Sequence, residues 1–409
     1  MRKRELHQYP VGRSVNMIPC NRPHFGSSEF LAMMRPEAGR KDFEIQFANS
    51  VGASFGIAFP FGRDGIFATL KALELRDVEV ILPAYTCEVV PRAVVASGNR
   101  PHFADISLAD YNMDMDALKL TLTDQPSVII ATHLYGYPIE IDNIRHHFGN
   151  HRIIIEDCAQ RLVSPDSGPV GIKGDVAIFS FSRGKPICTV EGGMVITNSP
   201  ELYEKIKAVR DKAFNRGNTK IWVKRWSWML ASYIVYQKQI FGMLHRARNN
   251  IRKIVQSRSE SNTFLLREPS WAYMNFQGRV GMAQLQKLDT MIIKRRSIAN
   301  LYDQELKEIT GIFTAPRTNG CSYSSYTIRV PKRDVVHFKD CMAFFGVSVG
   351  QDYSYVLPQL KPYQPFAKGD YPSAKKAAEE VVNLPCYPGL KEIDVRYVAA
   401  CVRACIRNQ

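Results

Sequence analysis

The chain has 409 residues, of which 45% are apolar and 23% charged, and carries a formal net charge of +15. That length suits two to three domains around a large core, and the composition is that of a soluble globular protein rather than a disordered or fibrous one. The charge is not spread as in a nucleic-acid binder: from Asp211 to Glu260 no acidic residue intervenes among Lys212, Arg216, Lys220, Lys224, Arg225, Lys238, Arg246, Arg248, Arg252, Lys253 and Arg258, so one segment holds most of the excess and no nucleic-acid partner is expected.

Met1-Arg2-Lys3-Arg4 is basic, but His7, Gln8, Arg13 and Asn16 interrupt the apolar run that an export signal needs. The nine cysteines run from Cys20 to Cys405 without a CxxC pair, which predicts reduced thiols and a cytoplasmic protein. Cys401 and Cys405, one helical turn apart, fit a half-buried helix, and no metal site is expected.

Residues 1–50 read as an N-terminal extension. Beyond them, short runs rich in Val, Ile and Phe recur at 78–82, 102–106, 127–132, 152–156, 175–181 and 194–197. Their near-continuous apolarity predicts strands buried on both faces of a mostly parallel sheet. Helical spacing at 67–75 and 115–122 falls between them, and Ser199-Pro200 opens a helix through about Asp211. A large α/β domain over 51–265 is therefore expected, interrupted by a basic insertion at about 213–262. One long helix at 277–306 then leads into a smaller α+β domain ending the 266–409 segment. Strands at 323–330 and 346–349 and a helix at 374–382, halted by Leu384-Pro385-Cys386-Tyr387-Pro388, complete it.

The chemistry lies in three stretches. Glu156-Asp157-Cys158-Ala159-Gln160 puts an acidic pair at the end of a buried strand, where open α/β sheets place ligands. Phe179-Ser180-Phe181-Ser182-Arg183-Gly184-Lys185 delivers two hydroxyls, an arginine and a lysine into one turn. Glu191-Gly192-Gly193 supplies a flexible turn before the next strand. A lone Asp of this kind is as often a helix cap, and a lone Lys is usually on the surface; the ordered set carries the information.

This set resembles the DegT/DnrJ/EryC1/StrS aminotransferases, sugar-modifying members of the fold-type-I pyridoxal-phosphate (PLP) enzymes. Their EDAAQ, FSFxxxK and EGG motifs match the three stretches. HLYG appears as His133-Leu134-Tyr135-Gly136 with Asp142 after it, P-x-Y/F-T as Pro83-Ala84-Tyr85-Thr86, and FVDI as Phe103-Ala104-Asp105-Ile106. Gly281–Asp289 is similar to GLAQLxKLD, and Asn383-Leu384-Pro385 to the closing LP motif, so the resemblance covers roughly 55–210 and 275–409.

The resemblance implies a large PLP-binding domain with a smaller C-terminal one, a homodimer, and roles for individual residues. Lys185 would hold the cofactor as a Schiff base and then serve as general base. Asp157 would keep the pyridine nitrogen protonated. Gln160 would bond the phenolic oxygen, with Ser180 and Arg183 at the phosphate. The phosphate would also meet the helix start Phe61-Gly62-Arg63-Asp64, where Gly62 permits close approach, Arg63 adds charge and Asp64 caps. Cys87 stands where many members put an aromatic over the ring, and His133, Tyr135 and Glu191 are candidate substrate contacts. Ser270-Trp271-Ala272-Tyr273 departs from the NYRM-like stretch of the family.

With Lys185 present, the implied reaction is transfer of nitrogen from an amino acid, L-glutamate, to a keto sugar linked to a nucleotide, in surface-glycan or secondary-metabolite biosynthesis. Other PLP chemistry on a sugar or cyclitol, such as dehydration, and an idle relative acting as a binding or regulatory module are the alternatives. The basic insertion admits three readings. As one helix it would set Lys224, Arg225, Ser232, Lys238, Gln239, His245 and Arg246 on one stripe, with Trp226, Met229, Leu230, Tyr233, Tyr236, Ile240, Phe241 and Leu244 opposite. Such a helix suits peripheral contact of residues 222–258 with the anionic inner face of a membrane. It equally suits packing on its own domain or a partner subunit, or attraction of a diphosphate sugar.

Overall fold

The computed structural model describes residues 16–36, 38–121, 127–149, 152–162, 170–214, 217–255 and 271–407. The start of the N-terminal extension, the expected domain join near 265 and the last basic residue of the insertion, Arg258, lie outside the described residues.

Seven strands form the main sheet: β1 (Phe55–Phe59), β2 (Glu79–Pro83), β3 (Arg100–Ala104), β4 (Ser127–Thr132), β5 (Ile153–Asp157), β6 (Val176–Ser180) and β7 (Gly193–Thr197). Their spatial order is β1-β7-β6-β5-β4-β2-β3. The run from β3 to β6 is parallel, whereas β7 is antiparallel to both β6 and β1. Both faces are covered, which is why the strands do not alternate apolar with polar. Val128 and Ile130 join one core with Val80 and Leu82, while Ile129 and Ala131 join another with Ile81 and Ile154. The sequence reading missed β1. Its Gly56 weakens the strand pattern, yet a Cβ there would stand 2.5 Å from the Glu44 carbonyl oxygen, so the close approach requires glycine.

The described part of the expected N-terminal extension packs against the main sheet. The helices Ser27–Met34 and Arg40–Val51 are built into the large domain, and Phe43 and Phe47 are fully buried. Phe47 meets Phe179 with ring centroids 4.9 Å apart, and Phe43 meets Phe181 at 5.3 Å.

The insertion is two helices, Thr219–Val235 and Lys238–Val255, rather than one. The expected stripes are also rotated. Arg225 and Ser232, assigned to the basic side, are buried with Met229, whereas Trp226, Trp228 and Leu230 are only partly covered. The cause is an acidic acceptor on the domain itself: Arg225 donates from Nε to the half-buried Glu191 at 2.8 Å, and the first helix turns that face to its own domain. Lys238 is likewise tied down, 2.6 Å from Asp394. Among the described residues no helix is long and apolar enough to cross a membrane.

The expected long helix breaks at Gln286-Lys287 into Asn275–Leu285 and Leu288–Leu306. A second sheet follows, made of β8 (Phe313–Thr314), β9 (Tyr326–Arg329) and β10 (Val381–Leu384), antiparallel in the order β10-β9-β8. The segment expected as a strand at 346–349 makes only isolated bridges, Ile18 with Val347 and, just beyond, Gly350 with Asn383. The helix Pro372–Glu380 stops earlier than expected because the chain turns extended into β10. One cysteine expectation is also corrected. Packing of the helices Val335–Phe344 and Glu392–Arg407 brings the Cys341 and Cys405 Cα atoms to 5.8 Å, and the two are joined by a disulfide.

Candidate active site

Because β2 has β3 on one side and β4 on the other, the chain direction across the sheet reverses there, and a crevice opens beyond the carboxyl ends of the strands. A cavity of about 300 Å³ lies at this place. Four of the parallel strands contribute to it: Cys87 just after β2, Thr132 at the end of β4, Asp157 at the end of β5 and Ser180 at the end of β6. Gln160, Arg183, Lys185 and Glu191 follow on the adjoining turns, and Gly62 and Arg63 open the helix Gly62–Ala72 on one wall.

That helix start is shaped for an anion. A Cβ on Gly62 would lie 3.3 Å from the Phe179 carbonyl oxygen, and one on Gly193 would lie 2.5 Å from the Gly62 nitrogen. Two glycines therefore let the helix N-terminus sit against β6 and β7, with its free amides toward the cavity. The Ser180 and Ser182 hydroxyls, 3.1 Å apart, and the Arg183 side chain complete the cradle.

Asp157 is 4% exposed, and its Oδ1 accepts from the Ala159 N–H at 3.1 Å. Burial pushes its carboxyl up, while the Ala159 amide and the nearby Lys185 charge pull it down. Lys185 sits on a tight turn, its N–H bonded to the Ser182 carbonyl at 3.1 Å; Gly184 makes the turn possible with φ at +85°. Gln160 is oriented from both ends: the Tyr135 N–H donates to its Oε1, and its Nε2 donates to the Tyr353 hydroxyl at 3.1 Å. Cys87 lines the cavity with a thiol raised by burial.

Two expected site residues stand behind the wall instead. His133 is 1% exposed: its Nε2 meets Glu156 at 3.1 Å, and its Nδ1 accepts from the Ile139 N–H and from Arg161. Burial holds its pKa down, so the neutral ring serves as a strut. Glu156 and Cys158 come together with His133 as metal-ligand types do. The Glu156 carboxylate, however, is occupied by the amides of Gly171, Lys173 and Gly174, and Arg161 covers the ring. Tyr135 is fully buried, its hydroxyl 2.9 Å from that of Tyr85, and it reaches the site only through its backbone. Glu191 does line the cavity, with Arg225 gripping its carboxylate and Gln277 donating to its carbonyl at 2.6 Å.

Asp64 is 2% exposed and stands inside the first turn of the helix, whose N-cap is Phe61 with no side-chain cap bond, so it is neither the expected cap nor part of the described cavity lining. Burial, opposed by Arg63, pushes its carboxyl up to about 7 from 3.8. The folded protein thus holds this proton more tightly than the unfolded chain, and stability falls as pH rises from 3.8 through about 7. Asp64→Asn is expected to stabilise the protein at pH 8 by roughly 2–4 kcal/mol and to bring no gain at pH 3. Denaturant unfolding at the two pH values measures it.

Thr132, Tyr353 and Arg225 escaped the sequence reading. Thr132 ends a strand, and the strand-end rule that picked Asp157 would have found it. Arg225 was counted among solvated charges, and nothing in local spacing marks Tyr353.

Strand order, reversal point and a lysine on the turn past the last parallel strand define the class: a fold-type-I PLP-dependent transferase architecture. The chain belongs to the DegT/DnrJ/EryC1/StrS aminotransferase family, which it matches over residues 33–243 and 271–403. It is 27% identical to the UDP-N-acetyl-3-dehydro-alpha-D-glucosamine 3-aminotransferase of Acidithiobacillus ferrooxidans, covering 88% of this chain and 86% of that protein. It is 24% identical to the GDP-perosamine synthase of Vibrio cholerae, covering 88% and 89% respectively. Its fold is similar to Helicobacter pylori PseC, an aminotransferase involved in the biosynthesis of pseudoaminic acid, with a TM-score of 0.78 at 19% identity over 96% of this chain and 100% of that one.

Proposed function

We propose that this protein transfers an amino group from an amino acid, L-glutamate, to the keto group of a nucleotide-linked sugar, with PLP held on Lys185. The observation that carries this reading is the meeting of Lys185, Asp157, Gln160 and the Gly62–Arg63 helix start around one cavity. The donor set fits the cofactor: a buried carboxylate for a protonated ring nitrogen, an amine within reach of its charge, and an anion cradle at a helix N-terminus. The relatives named for UDP- and GDP-linked sugars support the substrate class.

When bound, PLP supplies an electron sink that makes the carbon next to nitrogen acidic. Asp157 keeps the proton on the ring nitrogen. The amides of Gly62 and Arg63, the Ser180 hydroxyl and Arg183 hold the phosphate, and Gln160 holds the phenolic oxygen. Lys185 would serve as the base, taking a proton at Nζ from the donor carbon and returning it within the cavity. Burial and the apolar walls formed by Ile66, Val90 and Ile178 exclude water from that transfer. The homodimer of the family belongs to this reading.

Purified protein loaded with PLP is expected to show a visible absorption band that L-glutamate bleaches and a keto nucleotide sugar restores. A band indifferent to amino acids points instead to dehydratase-type chemistry. No band in folded protein leaves an idle relative.

A further inference from the structure

Four fully buried apolar residues, Val128, Ile129, Ile130 and Ala131, bring β4 to the cavity, and the strand then ends on a hydroxyl. Thr132 is 4% exposed, and its Oγ1 is buried without a hydrogen bond of ordinary geometry among the described residues. Valine has the same shape and would fill this place without stranding a polar atom. Packing therefore does not explain the hydroxyl.

The neighbouring strand shows what it faces. β4 and β5 run parallel with Val128 registered against Ile153, Ile130 against Ile155 and Thr132 against Asp157. Registered residues of adjacent strands project from the same face of a sheet, roughly 5 Å apart. That register is clamped at the site: the His133 N–H donates to the Asp157 carbonyl at 3.0 Å, and the Cys158 N–H to that of Ile178 at 2.8 Å. Both side chains line the main cavity. Burial raises the Asp157 carboxyl, and the Thr132 hydroxyl is among the groups that draw it back down.

Asp157 has use for such a donor. Its Oδ1 accepts from the Ala159 N–H at 3.1 Å, while the Lys185 charge in the same cavity also draws the carboxylate. A carboxylate free to swing to the lysine is poorly held for a ring nitrogen. A second fixed donor settles that competition, and hydrogen bonds to a carboxylate favour its charged form. We propose that Thr132 is a positioning residue, its hydroxyl donating to the Asp157 carboxylate and holding it for the protonated ring nitrogen of PLP. This rests on the PLP reading above and adds to it a residue of the neighbouring strand. Thr132 acts through Asp157, not on the reacting atoms.

The test uses full-length protein and pyridoxamine 5′-phosphate, which carries the same ring and phosphate but forms no bond to Lys185, titrated by calorimetry at neutral pH. Thr132→Val is expected to weaken binding roughly tenfold, the size of one hydrogen bond to a charged group. Thr132→Ser restores the hydroxyl and is expected to return within about threefold of wild type. In an Asp157→Asn background the Thr132→Val change is expected to cost less than about twofold, because the charge it serves is gone. Wild-type affinity in Thr132→Val, or a Thr132→Ser as weak as Thr132→Val, overturns the inference. So does a loss that persists in full beside Asp157→Asn, which would mark Thr132 as packing alone. If Thr132→Val does not fold, Thr132→Ala replaces it and is read in the same way. Wild-type protein that binds no pyridoxamine 5′-phosphate overturns the PLP reading itself, and this inference with it.

Discussion

Lys185→Ala is expected to abolish the covalent cofactor band and to lower turnover by at least roughly 10³-fold. The size follows from what else borders the cavity. Arg63 and Arg183 are the other basic side chains among its described lining residues, and a guanidinium stays protonated at any pH the fold survives. Neither can take a proton from carbon; of the other candidates, the Glu191 carboxylate is gripped by Arg225 and the Cys87 thiol is raised by burial, so neither is poised to replace the lysine. The phosphate cradle is untouched in the variant, and PLP is expected to bind non-covalently with an altered spectrum. Absorbance after gel filtration and single-turnover kinetics with L-glutamate measure both. Turnover within tenfold of wild type would place the base elsewhere.

Asp157→Asn gives the second large effect. The amide keeps the shape of the side chain but cannot stabilise a cationic ring nitrogen, and a loss of about 10²–10³ in turnover is expected. The stability effect has the opposite sign in the unloaded protein. Burial raises the Asp157 carboxyl, so the folded state binds its proton more tightly and loses stability as pH rises above 3.8. Unloaded Asp157→Asn should therefore melt higher than wild type at neutral pH. Loading with PLP should reverse that order, because the carboxylate then has a cation to pair with. Melting curves with and without cofactor test the crossing.

The chemistry was readable from sequence wherever it lay in a continuous stretch at a strand end. Asp157, Gln160, Ser180 and Lys185 come from two such stretches and meet at one cavity. Residues that reach the site from afar were not readable. Tyr353 arrives from the C-terminal part of the chain, and no local spacing records that long-range approach. His133 and Tyr135 show the converse error. They sit in a stretch next to the site, yet their side chains turn to Glu156 and Tyr85, so proximity in sequence overstated their access. Six of the main strands were legible because burial on both faces makes apolar runs; β1, interrupted by Gly56, was not. The insertion failed for a third reason. A helical wheel ranks residues by polarity and treats charge as outward, whereas one half-buried carboxylate on Glu191 was enough to turn Arg225 inward.

The order of the strands has a consequence for how the protein comes into being. The cavity borrows from the helix that follows β1, from the ends of β2, β4, β5 and β6, and from Tyr353 far downstream. Parallel pairings of this kind close long stretches of chain before any contact rewards them, and they form slowly. Until the last of them is made there is nowhere for an anionic ring to bind, so the cofactor recognises only the finished molecule. By mass action, free cofactor at a hundred times its dissociation constant adds about 2.7 kcal/mol to that state alone. On the proposed PLP reading, protein made without the cofactor would be lost to unfolding and proteolysis as well as lacking activity.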